Sequence, residues 1–369
     1  MTKDKTVPVN RIGMFDTFKG IGMLLVVFGH TFSRGFSGFG NHLMGELFQL
    51  FLVPVGVSLI PAFFMISGYG FRKRPVRKCI RQQVELLLKP YLIVAVAASL
   101  CHLLFHYLAF GYWPASVRET LKVAGGFLLA LPHNAAINGM DFFGCGAVWY
   151  IVALFVGWIL LDLIMNTVEV KYVAPAVILV TLAGWLAGCL YTFPFCLSQG
   201  MIAVGFLYIG YRAKKTRIFL DGVNRQGACC IFLACAVSVF FSAYSGQTDN
   251  MDLGIWTGGP ISILMDAVIG VGMVMLILKL DRFENYFLNV LQRIGRDSLL
   301  IFCIHTVEMI AVPWYLLQEK LDVHPIFCGL LTILLRWSVI IAAIRGIQWG
   351  KGILNKRKAD RWEKEQTGR

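Results

Sequence analysis

Long apolar stretches recur along the whole chain, and each is about as long as a membrane helix. A helix needs about 20 apolar residues to cross the hydrocarbon core of a bilayer. The pattern therefore predicts an all-α polytopic membrane protein with about ten transmembrane helices. The predicted spans cover residues 14–34, 46–70, 86–108, 146–166, 173–191, 194–211, 227–245, 260–279, 298–317 and 325–347.

Composition supports this prediction. Of the 369 residues, 57% are hydrophobic and only 15% are charged, with a mean hydropathy of +0.68. A soluble domain does not need that much apolar surface. We predict a single transmembrane domain over residues 1–350, followed by a short charged cytoplasmic tail at 351–369.

The net charge of +13 is distributed unevenly between the two sides of the predicted spans. One side collects 28 of the 34 Lys and Arg residues, and the other side holds four. The positive-inside rule then predicts that both termini are cytoplasmic. The basic excess reflects topology and does not indicate a nucleic-acid-binding surface, although it would attract lipid headgroups or an anionic co-substrate.

The ten cysteines are scattered, most of them within apolar stretches. No pair has the CxxC spacing of a metal site. We therefore predict no metal centre and no disulfide framework.

Two loops on the outer side are candidates for a lid over a site. Residues 109–145 contain a stretch at 117–131 that resembles a short amphipathic or re-entrant helix, since it is too short to span. The second loop, GQTDNMDLGIWTGGP, is acidic and rich in glycine.

Three ionisable residues share one face of the first span, in DTFKGIGMLLVVFGH. Lys19 and His30 are eleven residues apart, about three turns at about 100° per residue, and Asp16 lies one turn before Lys19. Ionisable groups inside a membrane segment are costly and usually mark a functional pathway. This face is therefore the first candidate site.

His30, in the outer half of this span, is a candidate base, because a neutral imidazole accepts a proton from a hydroxyl held within reach. The alternative interpretation is a structural histidine between two helices. Lys19 is either a phosphate-binding cation oriented by Asp16, or a lysine whose ammonium group reaches the membrane interface.

The segment FRKRPVRKCIRQQ is the densest basic cluster and includes Arg72, Arg74 and Arg77. Anchoring on the cytoplasmic side explains it without any ligand. The spacing of Arg74 and Arg77 also suits a multiply phosphorylated ligand.

Later spans add further candidates. Trp149 and Tyr150 open the fourth span, where they form either an interfacial aromatic belt or the wall of a sugar site. In the ninth span, His305 and Glu308 are i,i+3 neighbours that can form a local pair.

Asp266 and Arg336, in the eighth and tenth spans, are predicted to pair with each other between helices. Each of them alone in lipid would be costly. Structural pairing and chemistry are both open for these two residues, as they are for the pair in the ninth span.

Four segments resemble the acyltransferase-3 family of membrane acyltransferases, most closely its fucose-4-O-acetylase-type branch. DTFKGIGMLLVVFGH is similar to the family's first-helix signature, and PAFFMISGYGFRKR is similar to its Phe-Phe-x-x-Ser-Gly element. AVWYIVALF is similar to the Trp-Tyr/Phe opening of a later span, and GRDSLLIFCIH to a late Ser-Leu…His segment. The four segments occur in family order and extend over residues 11 to 305.

The resemblance implies a bacterial cytoplasmic-membrane enzyme of about ten spans that modifies a cell-surface polysaccharide. Such an enzyme moves an acyl group, usually acetyl from acetyl-CoA, to a hydroxyl of a carbohydrate or lipid-linked saccharide. The family's Arg-x10-His motif falls on Lys19 and His30, with Lys replacing Arg. It implies that His30 is the base or acyl-handling residue, and that Arg74 and Arg77 bind coenzyme A phosphates.

The predicted site residues are His30 and Asp16 for catalysis, Lys19, Arg72, Arg74 and Arg77 for acetyl-CoA, and Trp149, Tyr150 and His305 for the acceptor. Direct attack by the acceptor hydroxyl and a covalent acetyl-imidazole both remain open. The donors that would stabilise a tetrahedral oxyanion are not identified by the sequence.

The alternative function is that of a transporter or permease-like module. The same resemblance extends to the membrane half of vancomycin-resistance serine racemases. Under that hypothesis, Asp16, Lys19 and His30 form a proton or substrate relay.

Overall fold

The computed structural model describes residues 13–32, 43–281, 285–321 and 325–367. Its side chains are described for residues 13–31, 54–281, 285–317, 320–321 and 327–353. The basic residues Lys3, Lys5, Arg11 and Arg34, which entered the charge argument, lie outside these ranges, as do both chain ends.

Within the described ranges the chain is mostly helical. The helices are α1 (Asp16–Phe32), α2 (Leu43–Tyr69), α3 (Val76–Gln83), α4 (Lys89–Phe110), α5 (Trp113–Leu128), α6 (Trp149–Thr167), α7 (Val173–Leu190), α8 (Leu197–Thr216), α9 (Ile218–Asp221), α10 (Arg225–Ser245), α11 (Pro260–Leu280), α12 (Tyr286–Arg296), α13 (Ser298–Ala311), α14 (Tyr315–Lys320) and α15 (Pro325–Thr367). A π-helical turn, Val84–Leu88, joins α3 to α4. Two short strands, β1 (Ala135–Ile137) and β2 (Met140–Phe142), pair antiparallel, an element that the all-α prediction did not include.

Helix covers each of the ten predicted spans, and seven helices in the described part of the chain are long and apolar enough to cross a membrane. The protein is therefore a polytopic membrane protein. Two of the other three spans lie on shorter helices: α1 has 17 residues and α13 has 14, whereas α2 has 27 and contains Pro54 and Pro61. α13 extends only about 21 Å at 1.5 Å per residue. The predicted ninth span, 298–317, thus ends early, because Pro313 follows α13.

The centre of the bundle is formed by α6, α8 and α11, which bury more than half of their apolar windows, whereas α4, α7 and α10 lie at the periphery. Glycines bring central backbones together. A Cβ on Gly68 of α2 would lie 2.0 Å from the Leu207 carbonyl oxygen, and one on Gly210 of α8 would lie 1.9 Å from that of Met65. Small residues allow this close approach between membrane helices.

The amphipathic helix α12 was not predicted, because residues 279–296 were counted only as a basic loop. It packs directly against α1. A Cβ on Gly20 would lie 2.1 Å from the Leu291 carbonyl oxygen, and one on Gly295 would lie 1.7 Å from that of Asp16. These contacts fix the segment of α1 that carries Asp16 and Lys19.

A substitution of Gly20 tests this contact. We expect Gly20→Ala to lower the stability of the purified protein by about 2 kcal/mol, because overpacking forces the two backbones apart. A Cβ on Gly29 of the same helix would meet no neighbouring atom within 4 Å. Gly29→Ala should therefore leave stability unchanged or raise it slightly through helix propensity. Thermal unfolding in detergent compares them, and equal midpoints would contradict the packing argument.

We call the end of the bundle that holds Arg72–Arg81 the basic end, and the opposite end, where α1 reaches His30, the cavity end. The predicted helix at 117–131 is observed as α5, with Pro114 in its first turn. His133, just after α5, connects three loops at the cavity end. Its Nδ1 donates to the Asp252 carbonyl oxygen at 2.6 Å, and its Nε2 lies 2.9 Å from Thr192 Oγ1.

The predicted tail begins within α15, whose backbone stays helical from residue 351 to Thr367.

Candidate active site

A cavity of about 770 Å³ opens at the cavity end of the bundle. Its volume is within the range of small-molecule sites. One wall comes from α1, α13 and α15, and a second comes from α4 and α5. Both loops predicted as a lid contribute lining residues, among them Asn134, Phe143 and Asp252.

Histidines concentrate at this cavity. In the described part of the chain, His30, His102, His106 and His133 line it, and a fifth histidine, His305, contacts His30. His30 is exposed to the cavity. A free imidazole facing a cavity of this size is available for proton transfer with a bound ligand.

Behind His30 lies a buried network of charged and polar groups. The rings of His30 and His305 are 5.4 Å apart between centroids, and His305 is fully buried. His305 Nδ1 donates to Glu308 Oε1 at 2.7 Å. The Glu308 carboxylate also accepts from Trp314 Nε1 and lies 3.5 Å from Arg336 Nη1.

This network fixes the orientation of His305. Because the Glu308 carboxylate can only accept, Nδ1 of His305 carries a proton, and Nε2 is the ring nitrogen left for another partner. That Nε2 is buried and has no hydrogen-bond partner among the described residues. A carboxylate that orients one histidine, beside a second histidine exposed to a cavity, is an arrangement suited to proton transfer.

Arg336 lines the cavity beside this network. Its Cζ lies 5.4 Å from the Trp314 ring centroid, and its Nε has no partner among the described residues. The predicted pairing of Arg336 with Asp266 is therefore wrong. Asp266 accepts instead from Ser58 Oγ at 3.2 Å, because α11 packs on α2, whereas α15 packs on α13. The local pairing of His305 with Glu308 is confirmed.

Asp16 and Lys19 lie at the other end of α1. Lys19 Nζ is 3.2 Å from Asp16 Oδ1, so the predicted i,i+3 pair is confirmed. Lys19 lines a second, mostly apolar pocket of about 170 Å³ and does not line the cavity that holds His30. Along the helix the two side chains start about 16 Å apart, so Lys19 and His30 occupy two different compartments.

The aromatic pair Trp149–Tyr150 is divided between these compartments. Trp149 lines the cavity of His30, whereas Tyr150 lines the pocket of Lys19. The Tyr150 ring packs against Phe302, with centroids 6.1 Å apart, and its hydroxyl lies 3.4 Å from Ser67 Oγ. Tyr150 and Phe302 are thus part of the wall of the inner pocket.

Arg72 and Arg74 lie in the turn between α2 and α3, and Arg77 lies in the first turn of α3. Arg72 and Arg77 are exposed, and Arg74 is half-buried. The backbone of Arg74 is anchored, because its N–H donates to Asp162 Oδ1 at 3.1 Å and its carbonyl accepts from Asn166 Nδ2 at 2.8 Å. The turn from which the Arg74 side chain extends is therefore fixed at the basic end.

Sequence reasoning missed three histidines that line the cavity, His102, His106 and His133. His102 and His106 are four residues apart in the apolar segment SLCHLLFHYLAF. Their i,i+4 spacing on one helix face was the available signal. His305 was expected to contact substrate. It is buried behind His30, a position that favours a supporting role.

Comparison with known proteins assigns the chain to an enzyme family. A family model for an acyltransferase domain matches residues 12–344, which extends from α1 into α15, so the protein is a membrane acyltransferase. The chain belongs to the acyltransferase-3 family. No curated protein and no solved structure gives a match to the chain.

Proposed function

We propose that the protein is an O-acetyltransferase that moves an acetyl group from acetyl-CoA to a hydroxyl of a cell-surface carbohydrate or lipid-linked saccharide. The observation that carries this proposal is the exposure of His30 in a large cavity, directly in front of the buried His305–Glu308 pair. We further propose that the basic end is cytoplasmic, as the distribution of Lys and Arg favours. The resemblance to the fucose-4-O-acetylase-type branch supports a sugar hydroxyl as the acceptor.

The two compartments suggest separate entrances for the two substrates. Acetyl-CoA is anionic, and the basic end offers Arg72, Arg74 and Arg77 outside and Lys19 in the inner pocket. The narrow, mostly apolar inner pocket suits the thin acyl end of a thioester. The acceptor enters the wide cavity from the opposite side. The aromatic wall of Tyr150 and Phe302 is where the acyl end would pass towards His30.

In the transfer step, the acceptor oxygen attacks the thioester carbonyl carbon while His30 takes the hydroxyl proton. A carbon–oxygen bond forms, the carbon–sulfur bond breaks, and the proton passes from His30 to the departing thiolate. The products are an O-acetyl ester and free coenzyme A. His305, oriented by Glu308, supports the positive charge that develops on the neighbouring ring.

Arg336 is the group best placed to stabilise the tetrahedral oxyanion. Its guanidinium lines the cavity and is held by Glu308 and Trp314. Its buried Nε is a donor without a partner among the described residues. A preorganised donor of this kind is worth about 10² to 10³ in rate when it is aimed at the developing charge.

Labelled acetyl-CoA tests the proposed function. Membranes that contain the protein, supplied with acetyl-CoA labelled in the acetyl group, should transfer label to the glycan and lipid-linked saccharide fraction and release free coenzyme A. Membranes without the protein are the control. Transport of a substrate into vesicles without any acyl donor, together with no transfer of label, would favour the permease hypothesis.

Substitution of Lys19 tests whether this residue binds acetyl-CoA or only anchors α1 in the membrane. We expect Lys19→Met to raise the KM for acetyl-CoA about tenfold, because a charge-assisted contact to phosphate is lost, and Lys19→Arg to raise it less. Lys89, at the start of α4, forms an exposed ion pair with Glu85 and does not line the inner pocket. Lys89→Met therefore also removes one positive charge and should leave the KM for acetyl-CoA unchanged. Equal KM values for wild type and Lys19→Met would assign Lys19 to membrane anchoring.

A further inference from the structure

The second wall of the cavity carries polar groups that the acyl-transfer step does not use. It is formed by α4 and α5. α4 is a peripheral helix, with only 11% of its apolar window buried, and it carries His102 and His106. Polar residues on a helix of this kind are costly in lipid and are kept where they face a cavity or a function.

His106 is held through its Nδ1. The Ser116 hydroxyl lies 3.0 Å from the Tyr112 carbonyl oxygen and 2.8 Å from His106 Nδ1. Both hydrogen bonds form together when the hydroxyl donates to the carbonyl and accepts from the N–H at Nδ1. In that arrangement Nε2 of a neutral ring is a hydrogen-bond acceptor.

His102 and Glu119 complete the polar part of this wall. His102 Nδ1 lies 2.8 Å from Thr120 Oγ1, and the rings of His102 and His106 are 5.4 Å apart between centroids. Burial acts to raise the pKa of Glu119, but hydrogen bonds and charges from Lys122 and Arg118 outweigh it, so that pKa lies below its ordinary value. Glu119 is therefore a carboxylate at neutral pH.

Together these groups place several hydrogen-bond acceptors on one wall of the cavity. Nε2 of His106 and the Glu119 carboxylate accept from hydroxyl groups, and the anchored Nδ1 atoms hold both imidazole rings in place. The Phe110 ring, 4.6 Å from the His106 ring between centroids, adds an apolar surface. Several hydroxyl donors beside an apolar face are what a sugar ring presents.

We infer that the α4–α5 wall, formed by His102, His106 and Glu119, is the acceptor subsite and binds the hydroxyl groups of a saccharide next to the one that is acetylated. The inference rests on the proposed function. It separates binding, on this wall, from chemistry at His30 on the opposite wall. Loss of a group on this wall should weaken acceptor binding and leave the use of acetyl-CoA unchanged.

The test uses the full-length protein in membranes and measures two KM values. The acceptor probe is the glycan and lipid-linked saccharide fraction of host membranes, dosed as total hexose, and the donor is labelled acetyl-CoA. His106→Asn keeps a donor for Ser116 and removes Nε2. It should raise the acceptor KM about tenfold, the size expected for a lost hydrogen bond to a bound hydroxyl. His102→Asn should act in the same direction.

Controls separate binding from folding. Ser99 of α4 bonds within its own helix to the Ala95 carbonyl oxygen and does not line the cavity, so Ser99→Ala should behave as wild type. Thermal unfolding in detergent checks that His106→Asn is folded, and His102→Asn provides an independent variant.

An unchanged acceptor KM in both histidine variants would overturn the subsite. A parallel rise in the KM for acetyl-CoA would do the same, because it would place these residues on the donor route. If the wild-type protein shows no acyl transfer, both the proposed function and this inference are wrong. If the wild type transfers label and the histidine variants have an unchanged acceptor KM, only the subsite is wrong.

Discussion

Substitution of His30 by Ala is expected to reduce acyl transfer by about 10² to 10⁴, the contribution of a positioned general base. The stability of the protein should change little, because the His30 ring is exposed to the cavity. The measurement is the initial rate of label transfer from acetyl-CoA in membranes with matched protein content. The same loss is expected whether His30 takes a proton or carries the acetyl group.

The neighbouring Thr31 provides the control for this substitution. Its hydroxyl bonds to the Val27 carbonyl oxygen of its own helix at 2.7 Å, so Thr31→Val changes the same part of α1 without removing an ionisable group. It should keep most of the activity. Transfer by His30→Ala at more than about a tenth of the wild-type rate would reject a general-base role.

The second large effect is expected for Glu308→Gln. The glutamine replaces one of the two carboxylate oxygens with an NH2 donor, so either the Trp314 bond is lost or His305 must change its tautomer, and Arg336 loses its counter-charge. We expect kcat to fall about tenfold to a hundredfold with an unchanged KM for acetyl-CoA. We also expect a loss of stability of about 3 kcal/mol, because breaking a buried pair leaves an uncompensated charge.

A second variant separates the two effects of this change. In the double variant Glu308→Gln with Arg336→Met, the unpaired buried charge that makes a broken ion pair costly is gone. Thermal unfolding should recover, whereas kcat should not. If kcat recovers together with stability, Glu308 and Arg336 hold the fold only and take no part in the reaction.

The structure divides the ionisable face of α1 between two compartments. From the sequence, Asp16, Lys19 and His30 form one continuous face. In the structure, Lys19 faces a narrow inner pocket and His30 faces the wide cavity. The roles predicted for Asp16, Trp149 and the arginines stay predictions. Asp16 holds Lys19 and is about 21 Å along the helix from His30, which favours a positioning role.

The sequence by itself determined the positions of most membrane helices and the local pairs. Asp16–Lys19 and His305–Glu308 are one turn apart on a single helix, so helix geometry alone places them in contact. The family signature is also local, since each of its segments is a short continuous stretch of the chain. The membrane class followed from hydropathy, because a bilayer sets the length of an apolar helix.

Only the tertiary structure decided which helices face each other. The partner of Arg336 is Glu308 and not Asp266, because α15 packs on α13 and α2 packs on α11. The contact of His30 with His305 joins residues far apart in the chain, and α12 packs on α1 through close backbone contacts at Gly20 and Gly295. In lipid, apolar surface does not select a partner helix, so close packing and buried polar pairs decide the arrangement. Close packing and polar pairing depend on the shapes of side chains on different helices. Hydrophobic periodicity along the chain contains no information about those shapes.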